Sequence, residues 1–332
     1  MKTRRMGRDG PVLSCIGIGA MSFAGFYGAT TQEDSFAVLD AARDAGITHI
    51  DTANIYGMGK SEQVIGAYLA ARPGAREAFH IATKASITAD AAGNRRIDNS
   101  AAHLEAELDK SLQRLGTDHV DLFYIHRREV ARPIEEVAET LARLVASGKC
   151  SAVGLSEVAP WTLRRAHAVT PIAAVQSEYS LSTRAPDLGL VQACAELGTT
   201  LVAFSPVGRS LLTDRPVGRD GVASNPFFKV NPRFLGPEFA ANLAATDRFR
   251  TLAAEMGTSA AALAMAWVLS RGEHVLPIPG TRTVAHLQEL IAGAALELDE
   301  AALTRIEAVL PVGWAHGDRY GDSQWIGVER YS

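Results

Sequence analysis

Residues 121–156 read DLFYIHRREVARPIEEVAETLARLVASGKCSAVGLS. Asp121–His126 is an apolar run of strand length. An amphipathic, alanine-containing stretch follows at 135–146, stops at Ser147-Gly148, and gives way to a second apolar run, Ala152–Ser156. A glycine just past the last helical residue accepts the left-handed turn that ends a helix. Strand, helix and strand in that order indicate a parallel pair, because a strand returns parallel to its predecessor only through a crossover.

The alternation extends outward in both directions. Ile16–Gly19, Ile47–Asp51 and Phe79–Lys84 precede this unit, and Ala173–Ser177, Thr200–Ser205 and Val275–Pro277 follow it, making eight strand candidates. Helical stretches fall at 32–45, 61–71, 99–115, 160–168, 188–197, 242–256 with 259–271, and 283–292. Ala45-Gly46, Leu115-Gly116 and Leu197-Gly198 repeat the glycine stop. Eight βα units either close into a (β/α)8 barrel of the TIM type or stay open and doubly wound. The open dinucleotide-binding sheet needs G-x-G-x-x-G opening a helix. Gly17-Ile18-Gly19-Ala20-Met21-Ser22 lacks the third glycine and leads into no immediate helix. An α/β barrel of parallel strands is therefore expected, with residues 1–332 as one domain. Residues 1–14 form an N-terminal hairpin turning at Asp9-Gly10, on the end away from the ligand site. Residues 207–240 form a long loop after the seventh strand, Asp299–Leu310 an extra helix, and 312–332 a polar tail.

Composition excludes several classes. Lys and Arg total 33 against 37 Asp and Glu, a net charge of −4, with 47% apolar and 21% charged residues. That balance suits a globular chain with a sizeable core and shows no basic footprint for nucleic acid. Three cysteines, Cys15, Cys150 and Cys194, have no metal-ligand spacing and read as reduced core residues. The basic N-terminus lacks the apolar run of an export signal. Ala260–Leu269 is only half of the ~20 residues that a membrane helix needs. A cytoplasmic location away from membranes is expected.

Ligand sites of such barrels lie at the carboxyl ends of the strands. The second strand ends at Asp51 with Tyr56 in the next loop, the third at Lys84 and the fourth at His126. Alternation along a strand puts these ends on the inward face with Ile47, Ala82 and Tyr124. An ammonium beside a phenol lowers the phenol pKa, so Lys84 would tune Tyr56 as an acid. Asp51 would hold Lys84 charged, and His126 would hydrogen-bond a carbonyl oxygen. The set suits carbonyl reduction by hydride from a cofactor.

Asp51-Thr52-Ala53-Asn54-Ile55-Tyr56-Gly57, Ala82-Thr83-Lys84 and Asp121-Leu122-Phe123-Tyr124-Ile125-His126 together resemble the signature set of the aldo-keto reductases. The resemblance covers essentially the whole chain. It implies Tyr56 as general acid, Asp51 and Lys84 tuning it, His126 polarising the carbonyl, and hydride from NADP(H) bound in an extended pose. It places Gly19 and Met21 against the cofactor. Ser156 and Gln176 match the carboxamide ligands, with Glu157 where relatives commonly have Asn. Phe204 matches the aromatic that stacks on the nicotinamide. Ser205, Val207, Gly208 and Arg209 match the pyrophosphate loop, with Ser210 where relatives often have Gly. Gly280, Thr281 and Arg282 lead into a helix whose N-terminus favours an anion, and match the 2′-phosphate site. His286, Glu289 and Leu290 depart from the family's usual pattern there, which leaves tolerance of NADH open.

Blander readings stand beside these. Singly, Asp51 reads as a loop cap, Lys84 as a surface lysine and His126 as a core histidine. Together, at the ends of consecutive strands, they read as a site. Gly57-Met58-Gly59-Lys60-Ser61 mimics a phosphate loop, but position 55 is Ile where that motif needs Gly, so Ser61 reads instead as a helix N-cap with Glu62 in the first turn. His49 and Asp51 have too few companions for a metal site. Phe23, Phe26 and Tyr27 either wall a substrate pocket or pack the first loop. Trp161 reads as packing and Trp267 as core. Trp314, His316, Tyr320 and Trp325 are candidates to reach the pocket from the tail. Two rival functions remain: a Schiff-base lyase through Lys84, and an NADPH-binding redox sensor with little turnover. Substrate, reaction direction and oligomeric state are not legible.

Overall fold

A computed structural model describes residues 1–331. Eight strands form one parallel sheet in sequential order: β1 (Ile18–Gly19), β2 (His49–Asp51), β3 (His80–Ala85), β4 (Val120–Ile125), β5 (Cys150–Ser156), β6 (Ala174–Glu178), β7 (Thr200–Phe204) and β8 (Val275–Ile278). The sheet closes on itself. Gly17 N donates to Pro277 O and Gly19 N to Pro279 O, both at 2.9 Å, which joins β1 to β8.

Helices wrap the outside: α1 (Gln32–Asp44), α2 (Lys60–Ala71), α3 (Ala101–Leu115), α4 (Ile134–Ala146), α5 (Pro160–Val169), α6 (Leu190–Leu197), α7 (Gly236–Glu255), α8 (Ala260–Leu269), α9 (Val284–Ala295) and α10 (Glu300–Val309). Their ends follow the expected chemistry. Thr31 and Asp34 form a capping box on α1, Ser100 caps α3, and Gly116 turns left-handed to stop it. A larger core fills the space between strands and helices, and a smaller one fills the barrel. Ala82, Leu122, Tyr124, Val202 and Leu276 supply the inner layer, and Met6 and Leu13 of the hairpin Thr3–Arg5/Val12–Ser14 plug the floor. Tyr124 fits because Gly154 on the neighbouring strand has no side chain, and a Cβ there would lie 2.5 Å from the ring.

Four expectations are corrected. Ile47 precedes β2 and packs in the outer core, since β2 begins only at His49. Ser61 does not cap α2: Gly59 occupies that position, while the buried Ser61 hydroxyl donates to Ala20 O and accepts from Thr52, each at 2.8 Å, tying the first loop to the second. The helix expected at 242–256 begins at Gly236. Residues 207–240 are not irregular. They hold short helical turns and an aromatic core of Phe227, Phe228, Phe234 and Phe239, joined by Phe26 and Tyr27 from the first loop. Among the described residues no single helix is long and apolar enough to cross a membrane, and all three cysteines are free and buried.

Candidate active site

The ends of β2, β3 and β4, with the loop after β2, bring Asp51, Tyr56, Lys84 and His126 together. Lys84 is fully buried. Its Nζ donates to the Asp51 carboxylate, to Thr52 O at 2.7 Å and to the Tyr56 hydroxyl at 3.4 Å. The other Asp51 oxygen accepts from Gln176 Nε2 at 2.7 Å. The rings of Tyr56 and His126 meet edge to face with centroids 5.7 Å apart.

Burial dominates the electrostatics. It pulls Lys84 down and Asp51 up, each resisted by its partner's charge. Burial and the nearby Asp51 carboxylate push the Tyr56 phenol well above its usual range. The expectation that Lys84 lowers the phenol pKa is thus corrected: Asp51 already offsets the ammonium, and desolvation of the phenolate wins. Burial, then Arg127, Lys84 and Arg95, hold His126 well below the ordinary imidazole value. The site therefore presents a protonated phenol and a neutral imidazole. His126 Nδ1 is buried and has no partner.

These groups border a cavity of about 800 Å³ at the carboxyl end of the barrel. Gly19 and Met21 line it after β1, Gln176 on β6, and Phe204, Ser205, Val207 and Arg209 after β7. Gly280, Thr281, Arg282, His286 and Glu289 line it after β8 and on α9. Phe26 and Tyr27 line it too, whereas Phe23 is 1% exposed and belongs to the outer core, so its pocket assignment is corrected. Ser156 and Gly208 are near the cavity wall without lining it. The Ser156 hydroxyl accepts from Arg127 at 3.2 Å, and Gly208 packs against Ser182 and Leu212. Lys84 sits behind Asp51 and Tyr56, out of the lining.

Two charged residues act differently from expectation. Arg209 already binds Glu178 at 2.6 Å and Arg319 O at 2.7 Å, and lies 4.8 Å from the ring centres of both Phe227 and Tyr320. Its charge is committed inside the protein. Glu157 pairs with Arg319 and accepts from Glu178 N at 2.8 Å, so it anchors the tail. Ser205, Arg209 and Ser210 all hold positive φ, at 52°, 55° and 80°, and such non-glycine strain is tolerated where surrounding structure fixes it. Arg282 donates to Ala29 O at 3.0 Å, and the Thr281 hydroxyl donates to Thr283 O at 3.1 Å. Thr283 caps α9.

Sequence reasoning missed Arg95, Arg127 and Gln324, which also line the cavity. Arg127 was within reach of the strand-end rule, since it follows His126. Arg95 lies on a small hairpin, Ile87–Ala89 with Arg95–Ile97, that no periodic signal marks. Of the tail candidates only Tyr320 reaches the cavity. Trp314 Nε1 donates to Leu181 O at 2.7 Å, His316 N to Asn242 at 2.8 Å, and Trp325 Nε1 to Asp318 at 3.0 Å.

Residues 15–311 match the Aldo/keto reductase family. The chain belongs to that family. It is 38% identical over 329 residues to a probable aldo-keto reductase of Glycine max, spanning 99% of this chain and 93% of that protein. It is 34% identical over 322 residues to the aldo-keto reductase yakc [NADP(+)] of Schizosaccharomyces pombe, covering 96% and 94% respectively. Among solved structures it is similar to a glycerol dehydrogenase from Gluconobacter oxydans, with a TM-score of 0.80, 29% identity, and coverage of 93% and 94%. This aldo-keto reductase is an oxidoreductase of a family that reduces carbonyls with nicotinamide cofactors.

Proposed function

We propose that this aldo-keto reductase reduces a small or medium aldehyde or ketone to the alcohol with NADPH, reversibly, with Tyr56 as general acid. The observation that carries the reading is Tyr56 at a cavity wall, within 3.4 Å of the Lys84 ammonium and edge to face with His126. The cofactor supplies the hydride. Tyr56 holds its proton until negative charge develops on the carbonyl oxygen, and Lys84 stabilises the phenolate left behind. Asp51 orients Lys84. A neutral His126 donates one hydrogen bond to the same oxygen.

The residues around the cavity fit a dinucleotide. Phe204 offers an aromatic face, and Arg282 offers a guanidinium beside the N-terminus of α9, where a helix favours an anion. We assign Arg282 to the 2′-phosphate and Ser156 and Gln176 to the carboxamide. The whole chain, 1–332, is read as one catalytic unit in the reducing cytoplasm, a compartment consistent with its free buried cysteines. The contact between Lys84 and Asp51 argues against a Schiff-base lyase, whose amine must be neutral. The test is NADPH oxidation over a panel of aldehydes and ketones, with NADH beside it. Turnover with NADPH preferred supports the reading. Cofactor binding without turnover points to a sensor, and borohydride trapping of substrate on Lys84 points to a lyase.

A further inference from the structure

The cavity carries an unbalanced pair of cations on the side away from Arg282. Arg95 lies on the hairpin after β3 and Arg127 follows β4, and both line the cavity beside Tyr56 and His126. Around the closed ring, β4 stands opposite β8, whose end carries Arg282. The pair therefore faces the part of the cavity across from the assigned phosphate site.

Neither arginine has a carboxylate partner among the described residues. Arg127 is 7% exposed, and its Nη atoms reach only neutral oxygens: His126 O at 2.6 Å, Ser156 Oγ at 3.2 Å and Tyr320 Oη at 3.4 Å. The Nε atoms of Arg127 and Arg95 are both buried without any partner. Of the other charges that line the cavity, two are already paired, Arg209 with Glu178 and Asp51 with Lys84. A charge taken out of water without a counter-ion is unfavourable, and here a buried Arg127 and a partly buried Arg95 of the same sign sit together beside the reacting groups.

We propose that Arg95 and Arg127 bind an anionic group of the substrate, so that the carbonyl compound is an oxo acid whose carboxylate lies a few bonds from the carbonyl carbon. This rests on the reductase reading and narrows its substrate class. The planar guanidinium fork matches a carboxylate with paired hydrogen bonds. With the carbonyl oxygen between Tyr56 and His126, the carboxylate meets the arginines on the His126 side. A neutral substrate leaves both cations unmatched.

The test compares succinic semialdehyde with its methyl ester, in the wild type and in Arg95→Gln and Arg95→Lys, by NADPH oxidation, with NADPH affinity titrated by fluorescence. The acid should exceed the ester in kcat/KM by at least about tenfold. Arg95→Gln should erase most of that preference, mainly through KM, Arg95→Lys should recover part of it, and NADPH affinity should stay within about twofold of wild type. As a check needing no variant, succinate should inhibit the wild type at about tenfold lower concentration than succinamide. An ester reduced as well as the acid, a preference untouched by Arg95→Gln, or NADPH affinity falling with Arg95 overturns the assignment while leaving the reductase intact. If no aldehyde of any charge is reduced, the reductase reading itself falls, and this one with it.

Discussion

In the proposed role, Tyr56 is useful because its proton stays on. Burial and Asp51 raise the phenol well above the physiological range, so the proton is held through neutral pH. Burial and three cations keep His126 neutral. Reduction kcat should therefore be flat across neutral and mildly alkaline pH, with no loss near the ordinary imidazole value; a pH profile that falls as pH rises through 6.5 would mean that His126 works as a cation. Asp51 has a second duty. Asp51→Asn leaves Lys84 buried without its counter-ion, a change of the kind that destabilises by about 3–5 kcal/mol, and urea unfolding should show the loss together with reduced turnover. The clustering of these residues was legible because side chains alternate along strands and barrels place ligands at strand ends. The direction of the Tyr56 shift was not, since it depends on how deeply the loop buries the phenol.

Between the elements, two close approaches set the limits of the barrel. Gly154 on β5 lets the Tyr124 ring of β4 lie flat, and an added Cβ would meet Ala174 O at 2.7 Å as well as the ring at 2.5 Å. Gly154→Ala should cost about 1–3 kcal/mol as overpacking, read as a lower urea midpoint. On β2 and β3, His49 Nδ1 lies 3.0 Å from His80 Nδ1. Burial lowers His49 to about 4, and burial with its neighbour's charge lowers His80 to about 3. Because the unfolded chain binds these protons more readily, stability is full above the unfolded value of 6.5 and drains away as pH falls toward 4. The thermal midpoint should drop over that window, and His80→Gln should flatten the drop; an equal drop in the variant would assign acid sensitivity elsewhere. The strands and helices themselves were legible, because runs of two-residue and 3.6-residue period separate cleanly and glycine marks the stops. Ends shifted where a residue took up a tertiary partner instead: Ser61, expected as a cap, is consumed by Ala20 and Thr52.

At the scale of the molecule, the segment 207–240 and the tail fold over the barrel mouth and are held by charges far apart in sequence. Burial alone would raise Glu178, yet Arg209, Arg319 and Arg233 hold it below the usual carboxylate value, while Arg319 also pairs with Glu157. Arg319→Ala strips both carboxylates of that partner, so the tail after Pro311 should become open to limited proteolysis; an unchanged digestion pattern would show that Trp314 and the aromatic contacts suffice. None of this was readable from pattern, because Glu157 and Arg319 are 162 residues apart and neither lies in a periodic element that points at the other. Arg95 stayed invisible for the same reason. The barrel and the grouping of Asp51, Tyr56, Lys84 and His126 came from local rules; the cavity wall came from where long loops settle.

The most direct test of the account is the single-turnover rate of NADPH oxidation by an accepted aldehyde in wild type and Tyr56→Phe, with NADPH affinity measured on the same samples. Loss of the general acid should slow the step by about 10²–10⁴-fold while NADPH affinity stays unchanged. A rate in Tyr56→Phe equal to that of the wild type would contradict the assignment of Tyr56 as the proton donor.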